Sequence, residues 1–136
     1  MKIILDTNVL LVAISRKSKF NLIWKCFLEG KFELCVTTDI LNEYAEILEQ
    51  KLRVSVAQNV MKAIEYSPDV IYITKYYSWK LMYFDPDDDK FVDCAVASDA
   101  DFIVTNDKHF NHLKKSGVPR AKVVNDEEFL EILRSQ

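Results

Sequence analysis

The sequence predicts an α/β protein, a three-layer α/β/α domain around a central, mostly parallel sheet. Three observations carry this. Short apolar runs without polar alternation recur along the chain, as in strands buried on both faces. Stretches with apolar residues at helical spacing lie between them. The chain has 136 residues, of which 49% are hydrophobic, so it is the size of one domain with enough apolar surface to build a core. Strands alternating with helices imply parallel pairing through crossover connections. Residues 1–136 are therefore read as a single domain.

Each element has its own warrant. "KIIL" (2–5) is a run with no polar alternation, as in a strand buried on both faces. A first helix follows, and "SRKSK" falls on the loop after it. "KFNLIWKCFLEG" places Leu22, Ile23, Cys26 and Phe27 at helical spacing and stops at Gly30. "ELCVTT" (33–38) is a second strand. "TDILNEYAEILEQKL" is a helix with Thr38 or Asp39 available as its cap. "VAQNVMKAIEY" is another helix, ended by Ser67-Pro68. "VIYIT" (70–74) is strand-like, 89–100 helical, and "DFIVT" (101–105) a strand. "KHFNHLKKSG" is a short helix closed by Gly117. "AKVV" (121–124) is a last strand, and "DEEFLEILRSQ" a last helix with Asp126 as cap.

Composition excludes several classes. Eighteen Lys and Arg stand against 21 Asp and Glu, a net charge of −3. A generically basic nucleic-acid coat is excluded, so a polyanionic partner would need local cations. No apolar run is long enough to span a bilayer, and Asp6 and Asn8 interrupt the apolar N-terminus that would otherwise resemble a leader. The expectation is a cytoplasmic protein with no membrane partner. Cys26, Cys35 and Cys94 are odd in number and widely spaced, as buried reduced thiols would be. With only two histidines, a zinc site of nitrogen and sulfur ligands is not expected. With only two glycines, glycine-rich phosphate loops cannot form.

In open sheets of this kind ligands bind beyond the carboxyl ends of the strands. There the sequence places acids. Asp6 follows the first strand, Glu43 lies in the helix after the second, and Asp107 lies just past the fourth. Asp85, Asp87, Asp88, Asp89 and Asp93 crowd the approach to that strand. On a helix Asp89 and Asp93 are about 40° apart and share a face. Phe91, Val92, Ala95 and Val96 lie on the other side. Glu43 sits at the margin of an apolar face formed by Ile40, Leu41, Tyr44 and Leu48, while Glu46 and Glu49 point away. Converging carboxylates raise each other's pKa values. A hard divalent cation, Mg²⁺ or Mn²⁺, resolves that conflict with oxygen ligands and supports phosphodiester hydrolysis. The acidic stretch does not fit a calcium loop, because its sixth position from Asp85 is Lys90 and its twelfth Val96.

"ILDTNVLL", the Glu in "DILNEYAEIL", and "DDDKFVDCAVASDADFIVTNDKHF" together resemble the PIN-domain nuclease family, in the branch of VapC-like toxins of toxin–antitoxin pairs. The most specific parts are D-T-N-V and D-x-x-x-x-x-A followed by a-D-x-I-V-T-x-D. The resemblance implies a PIN-like fold and a metal-dependent endoribonuclease that hydrolyses RNA with Mg²⁺ or Mn²⁺. It implies Asp6, Glu43, Asp89 and Asp107 as catalytic residues, with Asp6, Asp89 and Asp107 as metal ligands. Asn8, Asp93 and Thr105 take supporting places. The family's spacing, carried back from Asp107, lands on Asp89 as the third acid; Asp93 is read as positioning water. A small antitoxin protein and a homodimer are the partners the family implies besides RNA. The stretch 67–84 matches the family pattern poorly.

Arg16, Lys17 and Lys19 are the candidate substrate contacts, with Lys51, Arg53, Lys90 and Lys108 as further cations near the acids. Asp85, Asp87 and Asp88 are read as solvated acids at a helix N-terminus. Tyr72, Tyr76, Tyr77, Trp79, Tyr83 and Phe84 are read as packing or dimer surface in preference to a base-stacking platform. His109 is read as solvent-facing. Three other functions remain in view. They are a catalytically inactive PIN-like interaction module, a housekeeping RNA-processing nuclease, and a phosphohydrolase with Asp6 as nucleophile.

Overall fold

A computed structural model describes residues 1–74, 79, 80, 82, 88–115, 117 and 119–136, with the Lys115 side chain excepted. Among the described residues five strands form one sheet in the order β3-β2-β1-β4-β5. They are β1 (Lys2–Leu5), β2 (Glu33–Val36), β3 (Val70–Tyr72), β4 (Phe102–Val104) and β5 (Lys122–Val124). Every pairing is parallel, so the sheet is wholly parallel where the sequence predicts a mostly parallel one. The helices are α1 (Thr7–Ile14), α2 (Asn21–Leu28), α3 (Thr38–Lys51), α4 (Val54–Tyr66), α5 (Asp89–Ser98) and α6 (Asp126–Arg134), with a 3-10 helix over Lys108–Lys115. The architecture is the expected three-layer one.

The central strands are apolar because both faces are covered. Ile3, Ile4, Leu34, Cys35, Val36, Ile103 and Val104 are buried. Aromatic side chains extend this core between α2 and α6: Phe27 lies 6.1 Å from Phe32, which meets Phe129 edge-on at 5.4 Å between ring centroids. Gly30 ends α2 in the left-handed region at φ 73°, where a side chain would be strained and would crowd Asp69. All three cysteines are buried and free, as expected. No helix among the described residues is long and apolar enough to cross a membrane.

Several boundaries differ from the sequence reading. The cap of α3 is Thr37, not Thr38 or Asp39, and its side chain accepts from the Ile40 N–H. The cap of α6 is Asn125, not Asp126, closed reciprocally by Glu128. In both cases the residue before the expected one has the extended backbone that a cap requires. Helix α4 begins earlier, at Val54, α5 ends at Ser98, and every strand but β1 is shorter than its predicted run. Asp93 does not lie on an open face of α5; it is only 2% exposed. Its Oδ1 accepts from the Trp79 N–H at 2.9 Å, so the backbone at Trp79 lies against it.

The strand order fixes where a ligand can sit. From β1 the chain moves outward to β2 and β3, then returns to the other side of β1 for β4 and β5. The reversal lies between β1 and β4, and the carboxyl ends of those two strands flank a crevice.

Candidate functional site

Asp6 stands at that crevice. It follows β1, is the N-cap residue of α1, and is anchored by its backbone N–H to the Val104 carbonyl at 3.0 Å. It is 7% exposed. Burial, the largest cause, pushes its carboxyl above the ordinary carboxylate pKa. The charges of Glu43 and Asp107 push it further up, while the Thr105 hydroxyl and the Asn8 backbone amide pull it down. Asp6, Glu43 and Asp107 therefore share one electrostatic neighbourhood, although they come from three separate stretches of chain.

Thr105 ties two of them together. Its hydroxyl donates to Asp6 Oδ2 at 2.6 Å and accepts from the Asp107 N–H at 3.0 Å. The side chain of Asp107 in turn accepts from the His109 N–H at 2.9 Å, and the His109 imidazole lies 3.4 Å away. His109 is thus turned toward an acid of the crevice.

Glu43 reaches the crevice from α3. Its Oε2 accepts from the Thr7 hydroxyl. Its Oε1 accepts from Lys90 Nζ at 2.8 Å. The next residue, Tyr44, is fully buried and donates its hydroxyl to the Leu5 carbonyl at 2.6 Å. Thr7 and Tyr44 were not singled out by the sequence. The first lies inside the D-T-N motif; the second adjoins Glu43 on the apolar face, where a tyrosine hydroxyl needs a buried partner.

The acids of α5 are engaged differently. Asp89, half-buried, accepts from the Met82 N–H at 2.8 Å, much as Asp93 accepts from Trp79. Asp89 adjoins Lys90, so the first turn of α5 abuts Glu43. Asn8 is exposed on the first turn of α1. Arg16 lines a separate cavity of about 640 Å³ with Ile14, Trp24 and Val56. Lys19 pairs with Glu127, on the first turn of α6 beside Asp126, which Asn106 holds at 2.8 Å. Lys17 is exposed. Lys90 serves Glu43 and does not stand open as a phosphate contact. Tyr72 and Trp79 are 56% and 43% exposed. Asp85, Asp87, Tyr76, Tyr77, Tyr83 and Phe84 lie outside the described residues.

The donors in the crevice are oxygens, which suits a hard cation. Thr105 links the Asp6 carboxylate to the Asp107 backbone N–H, and two carboxylates with several waters satisfy Mg²⁺. Among the described residues no three acidic, histidine or cysteine side chains stand ready to enclose an ion as they are turned. Glu43 faces Lys90 and Thr7 instead.

No curated protein matches the chain. Among solved structures, a chain in the crystal structure of VapBC2 from Rickettsia felis bound to a DNA fragment from their promoter matches at a TM-score of 0.65. That match has 17% identity over 92% of this chain and 98% of that one, a likeness of fold. The family model for the PIN domain matches residues 2–109. That span holds four of the five strands and all of Asp6, Glu43, Asp89 and Asp107, and the chain belongs to the PIN domain family.

Proposed function

We propose that the protein is a divalent-cation-dependent endoribonuclease, the toxin component of a toxin–antitoxin pair. The observation that carries this reading is the buried Asp6 carboxylate, destabilised by Glu43 and Asp107 and bridged to Asp107 through Thr105. Like charges gathered in a buried crevice need a compensating cation. When bound, Mg²⁺ or Mn²⁺ would supply charge neutralisation at phosphorus and acidify an attacking water. Asp6 and Asp107 would hold it, with Asp89 completing the set from α5. Glu43 orients the attacking water, and Thr105 keeps the first two acids in register. Asn8 and Asp93 support the rim. Arg16, Lys17 and Lys19 meet RNA phosphates beyond it.

Family membership supports nuclease chemistry, and the fold shared with a chain of a VapBC2 complex supports an antitoxin partner. A cytoplasmic location and a homodimer belong to the same reading. An inactive module would have no reason to keep Asp6 buried against two other acids. A phosphohydrolase would use Asp6 as nucleophile and leave a covalent phosphoaspartate.

The test is cleavage of a pool of structured and unstructured RNAs with Mg²⁺, Mn²⁺ or chelator. Ion-dependent internal cleavage is expected, falling by at least about a hundredfold in Asp6→Asn and in Asp107→Asn. Cleavage that survives both substitutions, or that persists in chelator, would overturn the reading.

A further inference from the structure

Glu43 differs from the other acids of the crevice in what holds it. Asp6 takes its side-chain hydrogen bonds from the Thr105 hydroxyl and the Asn8 backbone amide. Asp107 takes its own from a backbone amide. Glu43 has both oxygens engaged, one by the Thr7 hydroxyl and the other by the Lys90 ammonium at 2.8 Å. The pair is sheltered, the two side chains being 21% and 24% exposed. Lys90 also lies over the Phe91 ring at 5.9 Å from its centroid, a contact that favours a cation. A divalent ion could reach Glu43 only by approaching this ammonium, against like-charge repulsion.

We propose that Lys90 is a built-in cation of the site: it holds Glu43 in place of a divalent ion, so that each chain takes a single ion, at Asp6, Asp89 and Asp107. The inference rests on the reading above that the crevice takes a divalent cation, and it fixes how many. Glu43, kept off the ion, is left to act on water. Lys90 is thus a positioning residue, acting through Glu43.

The test counts ions. Metal-free protein is titrated with Mn²⁺, and free Mn²⁺ is followed by electron paramagnetic resonance. Wild type should bind a single ion, and Asp6→Asn none. Lys90→Gln should open Glu43 and admit a second. Lys90→Arg, which keeps the cation, should return to one, and adding Glu43→Gln to Lys90→Gln should remove the second. Glu43→Gln alone should leave the count at one, a prediction that holds even if Lys90→Gln fails to fold. A second ion in wild type, a single ion in Lys90→Gln, or loss of the ion in Glu43→Gln overturns the proposal while leaving the ion site intact. A wild type that binds no ion overturns the underlying reading and this proposal with it.

Discussion

Asp6 is the residue on which most of the site turns, and its environment works against its charge. It is buried beside Glu43 and Asp107, and its pKa is raised. A carboxyl whose folded pKa lies above its unfolded value binds protons more readily when folded. Between the ordinary value near 3.8 and the raised one, stability therefore falls as pH rises. Above the raised value the full cost is present. Asp6→Asn removes that cost, and its amide oxygen can still accept from Thr105. In chelator, the variant should unfold at higher denaturant than wild type at neutral pH. The two should converge as pH drops below the ordinary carboxylate range. Denaturation curves across a pH series check this; a variant less stable than wild type at pH 7 would contradict it. The position of Asp6 was legible because D-T-N follows an apolar run that ends at the sheet edge. The roles of Thr7, Tyr44 and Lys90 were not. Each acts through a contact between residues distant in the chain, which no local pattern records.

At the scale of elements, periodicity located the strands and helices, and local chemistry set their ends. Strands β1 and β2 were plain because burial on both faces leaves them apolar after their first residues, Lys2 and Glu33. Caps were harder, since the choice among neighbouring Thr, Asp and Asn depends on backbone angles. Thr37 and Asn125 are extended, at φ −118° and ψ 171°, and at φ −88° and ψ 178°. The pattern N-D-E-E does contain the capping box, with Glu128 three residues after Asn125. Helix periodicity placed Asp93 opposite the apolar side of α5, but the backbone at Trp79 closes over it. That closure is tertiary and invisible to a helical wheel. Asn125→Ala removes the side-chain acceptor of the Glu128 N–H and should cost about 1 kcal/mol. A lower urea midpoint at unchanged slope would show it; no shift would mean that neighbouring acids replace the cap.

For the whole molecule, the reversal of strand order between β1 and β4 is the organising fact. It brings Asp6 and Asp107, a hundred residues apart in the chain, to one rim, and α3 adds Glu43 from the side. Folding must gather these charges before any ion can offset them, so the metal-free protein carries the repulsion as lost stability. An ion that binds only the folded chain returns stability by mass action, about 2.7 kcal/mol at a hundred times its dissociation constant. For a chain of this size that is roughly 10 °C in Tm. Asp6→Asn loses the repulsion and the ion together. The order of stability should therefore invert: the variant melts above wild type in chelator, and wild type melts above the variant in saturating Mn²⁺. Thermal unfolding of both proteins in both conditions decides the matter. A variant that stays above wild type at every Mn²⁺ concentration would mean that Asp6 is buried for the sake of the fold and holds no ion.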